Sequence, residues 1–233
     1  MNKIWSFLTL PVHCVLCGAA SGRDLALCHA CREEIQSGED DASCSQCALP
    51  LQATGDHTLC GECLNDPPPY SATYRFALYR PPLDRLIQQL KFHDKLQFAR
   101  VLGSLMARDL RTREIPLPDV LLPVPLHSKR LRSRGYNQAL ELGRYISREF
   151  QLPLDVTSCI RRKATPEQAA LPAKDRGGNI KGAFDVVGNV KQRHIAVIDD
   201  VMTTGSTVGE LSRALLKAGA ARVDVWVCAR AVL

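Results

Sequence analysis

The chain has 233 residues, of which 45% are apolar and 23% charged, a balance that excludes a disordered chain and suits one ordinary domain plus a smaller module. No apolar run approaches the roughly 20 residues a helix needs to cross a bilayer, so no helical membrane span is expected. The net charge of +6 divides unevenly: residues 1–66 hold three Lys/Arg and nine Asp/Glu, and residues 67–233 hold 27 against 15, which puts a boundary near residue 66 and gives the larger part a preference for anionic partners.

The N-terminus, MNKIWSFLTLPVHC, has one early lysine and a short apolar run but no small-residue cleavage site, so a signal peptide is rejected. A short helix that docks Ile4, Trp5, Phe7 and Leu8 on another surface is expected instead. Eight of the ten cysteines follow within residues 14–63 as Cys-x-x-Cys pairs: Cys14/Cys17, Cys28/Cys31, Cys44/Cys47 and Cys60/Cys63. A pair in a tight turn aims two thiolates at one tetrahedral zinc, and two pairs fill its four positions. Two structural zinc sites are therefore expected. Spacers of 10, 12 and 12 residues suit zinc ribbons, with adjacent pairing the simplest arrangement and a crossed one equally compatible with the ligand count. A secreted disulfide scaffold would space its cysteines less regularly. The surrounding residues offer little other core, so metal binding is expected to supply most of this module's folding free energy. Cys159 and Cys228 lie in apolar, strand-like runs and read as ordinary core.

After Cys63, LNDPPPYSA is a proline-rich joint in which neither helix nor strand persists. ATYRFALYR (72–80) alternates as a strand. A proline-opened helix follows, then a break near His93 and Asp94 and a second amphipathic helix. DVLLPVPL (119–126) reads as a strand entering a loop, and NQALELGRYISREF (137–150) as an amphipathic helix. DVTSCI (155–160) and AFDVV (183–187) are short strands around a basic segment. HIAVIDD is an apolar strand, STVGELSRALLKAG (206–219) a helix ended by Gly219, and RVDVWVCARA (222–231) a last strand. Apolar strands alternating with helices predict a parallel sheet covered on both faces.

Ligands of such sheets bind beyond the carboxyl ends of the strands. Asp199 and Asp200 sit at such an end, and Val201–Ser206 leads into a helix N-terminus whose N–H groups and dipole suit a phosphate. Gly205 permits close backbone approach, and Thr203, Thr204, Ser206 and Thr207 add hydroxyl donors. The carboxylates would repel that phosphate but accept hydrogen bonds from sugar hydroxyls nearby, so a ribose 5-phosphate meets both demands. AVIDD also has the form of a Walker B strand, yet the chain lacks G-x-x-x-x-G-K-[ST]. An Asp capping a turn accounts for any one of these residues but poorly for the ordered run.

VIDDVMTTGST resembles the phosphoribosyl pyrophosphate (PRPP) signature of type I phosphoribosyltransferases. With PVPLHSKRLRSRGYNQA (123–139), TPEQAALPAKDRGGNIKGAF (165–184) and the cysteine pairs, the whole chain resembles the ComF family of competence-associated proteins. That resemblance implies a double zinc-ribbon module over residues 1–66. A type I phosphoribosyltransferase-like α/β domain, a parallel sheet flanked by helices, would then span residues 67–233. It implies Asp199 and Asp200 on the ribose hydroxyls, residues 203–207 on the 5-phosphate, and Mg²⁺ carried with PRPP. It places pyrophosphate at the turn Pro125, Leu126 and His127, with Lys129, Arg130, Arg132 and Arg134 following; guanidinium forks suit such an anion. Residues 161–181, with Arg161, Arg162, Lys163, Gln168, Lys174, Arg176, Asn179 and Lys181, resemble the family's flap. Function is favoured for Arg130, Arg134 and Arg176, and plain solvation for Lys191 and Arg193.

Three functions fit these residues. One is an active phosphoribosyltransferase that releases pyrophosphate from PRPP to an unknown acceptor. No general base is identified, His127 and His93 being candidates only, and no nucleobase pocket is apparent. The second, implied by the family, is a cytoplasmic protein that handles incoming single-stranded DNA. The basic stretch 129–181 suits it, although Tyr136, Tyr145, Phe150 and Phe184 are few stacking platforms. The third is a PRPP-binding regulator whose zinc module docks a protein of the competence machinery. The DNA-utilisation reading is preferred, with turnover left open.

Overall fold

The most apolar segments of the chain become four strands that pair side by side. A computed structural model describes residues 12–232 apart from 23, 38–41, 52–57, 93, 94 and 165–179. The expected docking helix with Ile4, Trp5, Phe7 and Leu8, together with His93 and Arg176, lies outside the described residues. In chain order the elements are α1 (His29–Gln36), α2 (Gly61–Asn65), β1 (Ala72–Leu78), α3 (Leu83–Phe92), α4 (Gln97–Arg111), β2 (Val120–Pro123), α5 (Ser128–Arg134), α6 (Gln138–Phe150), β3 (Cys159–Arg161), β4 (Phe184–Val186), β5 (His194–Met202), α7 (Ser206–Lys217) and β6 (Arg222–Arg230).

The main sheet runs β1-β6-β5-β2 and every pairing in it is parallel. Successive residues point to opposite faces, so Ala196, Ile198, Trp226 and Cys228 pack against α3, α4 and α6. Ile195, Val197, Val223, Val225 and Val227 pack on the other face, against α7. This is an α/β fold, a parallel sheet flanked by helices and preceded by a cysteine-rich segment. Because all four strands run the same way, Leu78, Pro123, Met202 and Arg230 end on one edge, where a ligand site is expected.

Several boundaries differ from the sequence reading. β2 stops at Pro123, since Pro123 and Pro125 have no N–H to extend the ladder. The basic stretch after it is not a loop but α5. His127 caps that helix, its Nδ1 accepting from the Lys129 N–H at 3.2 Å, and Gly135 ends it in the left-handed region at φ 80°. None of its residues is buried, so it carried no apolar period to detect. The strand expected from 155 begins only at Cys159. The Asp155 carboxylate takes the N–H groups of Thr157 and Ser158, both at 2.9 Å, and holds a turn there. β3 and β4 pair antiparallel in a sheet of their own rather than joining the parallel one.

Helices α4 and α6 approach closely over Gly103. A Cβ there would lie 2.9 Å from the Tyr145 Cβ and 3.1 Å from the Leu142 carbonyl oxygen. Gly103→Val should therefore force the two helices apart and lower stability by about 1–3 kcal/mol. Urea denaturation is the check, and an unchanged midpoint would contradict this packing.

Candidate functional site

Each half of the cysteine-rich segment is built on the same plan. A first knuckle turns back on itself, with Cys14 N–H to Ala19 O and Cys44 N–H to Leu49 O, both 2.8 Å. Left-handed backbone follows at Gly18 (φ 75°) and Ala48 (φ 58°). The second pair opens a helix, Cys28 and Cys60 serving as extended N-caps of α1 and α2. That puts Cys31 and Cys63 one turn on and on the same side.

The sulfurs of Cys14, Cys17, Cys28 and Cys31 lie within 4.8 Å of one another, and so do those of Cys44, Cys47, Cys60 and Cys63. Zinc–sulfur bonds of about 2.3 Å in a tetrahedron give sulfur–sulfur edges of about 3.8 Å. Cys17–Cys28 and Cys47–Cys60 are each 3.6 Å apart. The donor sets fit two four-cysteine zinc sites, with adjacent pairs sharing a metal. Against the upward push of burial, N–H groups of Cys47, Cys60 and Gln46 hold the Cys44 thiol down at about 7, whereas burial pushes the Cys47 and Cys63 thiols up.

The two zinc ribbons straddle the β1 edge of the sheet. Cys14, Leu25, Leu27, Cys31 and Ile35 join the core on the α3/α4 side, and Cys44, Cys47 and Cys63 join the core on the α7 side. Edge strand β1 is stitched to the second ribbon: the Thr73 hydroxyl donates to Gln46 O at 2.6 Å and Arg75 to Ala48 O at 2.8 Å. Covering an edge in this way removes an open template for strand pairing.

At the carboxyl edge of β5, Asp199 is half-buried and Asp200 is 7% exposed. Lys91, from the last turn of α3, reaches Asp200 Oδ2 at 3.0 Å. Burial would raise the Asp200 carboxyl, but the Lys91 ammonium beside it brings it below the usual carboxylate range. Asp199 is pushed the other way, by burial first and then by the charge on Asp200. Arg161 on β3 stands close enough to feel both Asp199 and Arg130, with burial as the main influence lowering its own proton affinity. Its guanidinium lies over the Phe184 ring at 5.5 Å.

The phosphate-loop candidate, residues 203–207, leads from β5 into α7. Gly205 is its N-cap at φ 77° and brings no side chain to the first-turn N–H groups. An added Cβ would lie 2.9 Å from Met202 Cε and 3.1 Å from the Tyr70 hydroxyl, so glycine is required here on two counts. The Thr204 and Ser206 hydroxyls are paired at 2.7 Å, and Thr203, Ser206 and Thr207 are half-buried. A cleft of about 1030 Å³ opens beside this loop, walled by Pro67–Tyr70, Glu62 and Asp66 from the joint and second ribbon and by Lys181, Glu210 and Arg213.

On the other side of the carboxylates, Leu126 and His127 follow β2, and Arg130 and Arg134 share the half-buried face of α5 while Lys129 and Arg132 are exposed. His127 is occupied as a helix cap. Asn137 explains part of the motif that follows: its Nδ2 donates to Val124 O at 3.0 Å and its Oδ1 caps α6. Tyr136 donates its hydroxyl to Leu90 O, tying this stretch to the turn of α3 that carries Lys91. Sequence reasoning missed Lys91 and Arg230 as site residues. Lys91 reads as an ordinary lysine in a helix's last turn, and Arg230 as the polar end of a buried strand.

A family model described as a double zinc ribbon domain matches residues 6–68. DNA utilization protein YhgH of Escherichia coli K12 is 40% identical over 171 residues, covering 72% of this chain and 75% of that protein. Competence protein F of Haemophilus influenzae is 40% identical over 161 residues, covering 66% and 70%. Similar solved structures include a glutamine PRPP amidotransferase from B. subtilis (20% identity, TM-score 0.37, 54% of this chain and 25% of that one). Another is a purine phosphoribosyltransferase from Pyrococcus horikoshii (17%, TM-score 0.33, 69% and 91%).

Elemental analysis of protein purified without chelator should return two zinc ions per chain, and a value near one would contradict the two-site geometry. The carboxylate pair gives a pH prediction. Asp199 has a folded proton affinity above its unfolded one, so its contribution to stability is complete below the ordinary carboxylate pKa. It is lost as pH rises through the raised folded value. Ligand-free protein should thus lose stability toward alkaline pH and Asp199→Asn should lose less. Urea midpoints across the pH range provide the measurement, and parallel profiles would contradict the pairing.

Proposed function

Because the chain belongs to the ComF family, whose relatives include DNA utilization and competence proteins, we propose that residues 67–233 bind PRPP through the carboxyl edge of the sheet, in the service of DNA utilisation. Residues 1–66 are the zinc module that completes the fold. The observation that carries the reading is the sequence of groups at the end of β5: two carboxylates, then a glycine-opened helix start. In this reading Asp199 and Asp200 accept from the ribose 2- and 3-hydroxyls, and residues 203–207 hold the 5-phosphate. Leu126, Arg130 and Arg134 face the pyrophosphate, and Arg161 belongs with them from its position near Asp199 and Arg130.

PRPP brings a Mg²⁺, which would neutralise part of the pyrophosphate charge. Such a hard cation takes oxygen donors, and the carboxylates Asp199 and Asp200 are the suitable ones here. Lys91 holds Asp200 ionised in the free protein and so keeps it an acceptor. Turnover of PRPP is a second reading, favoured by the cations Arg130 and Arg161 on the side from which pyrophosphate would leave. Of its two candidate bases, His127 is engaged through Nδ1 as the α5 cap and His93 lies outside the described residues.

For DNA, the proposal is that single-stranded DNA is handled in the cytoplasm, with the exposed Lys129 and Arg132 on α5 meeting its phosphates. The zinc module would dock a competence-machinery protein.

Calorimetry with PRPP and Mg²⁺ should detect binding, weakened about 10- to 100-fold in Asp200→Ala by loss of a charge-assisted hydrogen bond; no binding by the zinc-loaded protein would refute the ligand. Pyrophosphate release across a nucleobase panel separates enzyme from binder. Single-stranded DNA affinity should fall steeply with salt, and Lys129→Ala or Arg132→Ala should each flatten the log–log slope by about 0.7, the share of one phosphate. Affinity insensitive to salt would remove α5 from the DNA surface.

A further inference from the structure

Arg230, at the carboxyl end of β6, is 4% exposed, and its guanidinium donates to four backbone carbonyls. Its Nε donates to Cys47 O at 2.9 Å. One terminal nitrogen donates to Met202 O at 3.2 Å and Ala231 O at 2.7 Å, and also to Thr203 O. Cys47 is a ligand of the second zinc site, and Met202 and Thr203 begin the phosphate loop. One rigid guanidinium therefore grips both.

We propose that Arg230 is a positioning residue that couples the second zinc site to the phosphate loop, so that zinc held by Cys44, Cys47, Cys60 and Cys63 and a sugar phosphate held at residues 203–207 strengthen each other. The coupling rests on the ligand reading above. The direction of the Cys47 carbonyl depends on the knuckle that zinc closes, with Ala48 N–H returning to Cys44 O at 2.8 Å. A planar guanidinium fixes the spacing and angle of the groups it bonds, so the same fork sets where the Met202 and Thr203 carbonyls point. The Thr203 carbonyl shares its peptide plane with the N–H of Thr204, in the candidate phosphate loop. A second tie runs in parallel: the Gln46 side chain, in the knuckle, donates to Tyr70 O at 3.4 Å. The Tyr70 hydroxyl abuts Gly205. Opening the knuckle would leave a buried Nε–H of a cation without an acceptor, a costly state that the guanidinium escapes only by moving and releasing the loop. Coupling between two sites is reciprocal: whatever zinc does for phosphate affinity, phosphate does for zinc.

The experiment uses the zinc-loaded full chain and follows zinc transfer to a chromogenic chelator with and without saturating ribose 5-phosphate. One of the two zinc ions should become about tenfold harder to remove when the sugar phosphate is bound, within the usual range of site-to-site coupling. The other should be unaffected. Arg230→Gln should still fold with two zinc ions but lose this ligand dependence, and Arg230→Lys, which keeps the buried charge without the fork, serves if the first variant folds poorly. Arg75→Gln is the control. Arg75 ties β1 to the same ribbon through Ala48 O, so its replacement should ease zinc removal while ligand protection persists. Calorimetric binding of ribose 5-phosphate with unchanged zinc release would overturn the coupling alone. Absence of any binding would overturn the ligand reading and the coupling with it. Protection that survives in both Arg230 variants would overturn the role of Arg230.

Discussion

Two adjacent carboxylates at the end of an otherwise apolar strand set the demand that the surrounding structure meets. β5 runs through the middle of the sheet, with Ile195, Ala196, Val197 and Ile198 fully buried before Asp199 and Asp200. In that low-dielectric setting two like charges side by side are unfavourable unless cations approach. Lys91 answers for Asp200 from α3, and Arg161 on β3 lies within electrostatic range of Asp199. Elements far apart in the chain converge on one strand end because each brings a charge the pair requires. The pair therefore divides: Lys91 keeps Asp200 ionised, while burial and the charge on Asp200 push Asp199 up to about 8.

The zinc ribbons are part of the same architecture. A four-stranded sheet leaves β1 as an edge, and the cysteine-rich segment wraps it from both faces, each ribbon contributing buried cysteines to a different core. Zinc thus does more than fold a short segment that has little core of its own. Through Thr73, Arg75 and Arg230 the second ribbon anchors β1 and β6, and the joint after it brings Tyr70 and Pro69 close to Gly205 and Gly209 at the start of α7. The proline joint between ribbon and sheet, rather than acting as a spacer, forms a wall of the cleft beside residues 203–207, the candidate phosphate loop.

Much of this was legible because it follows local rules. Four Cys-x-x-Cys pairs announce their metal sites, since a knuckle needs only four consecutive residues. The apolar strands β5 and β6, the amphipathic helices α4 and α6, and the glycine stop after α7 all follow from hydrophobic period and turn chemistry. The carboxylate pair and hydroxyl-rich loop were readable for the same reason: both lie in one unbroken run, 199–207. Less legible were elements without an apolar face. α5 buries nothing and is defined by its caps, His127 and Gly135, and the start of β3 is set by a turn at Asp155.

By itself, then, the amino-acid sequence determined the metal ligands, the order of the strands and of the longer amphipathic helices, and the run of carboxylates, hydroxyls and glycine over 199–207. Tertiary structure alone decided that adjacent pairs share each zinc, that the ribbons clasp opposite faces of one sheet, and that β3 and β4 stand apart as an antiparallel pair. It also decided that Lys91 meets Asp200 across more than one hundred residues of chain and that Arg230 joins Cys47 to Thr203. The reason is physical: a period or a turn is written in neighbouring residues, whereas the partner of a buried charge is whatever the packed sheet brings within about 3 Å, the reach of a hydrogen bond.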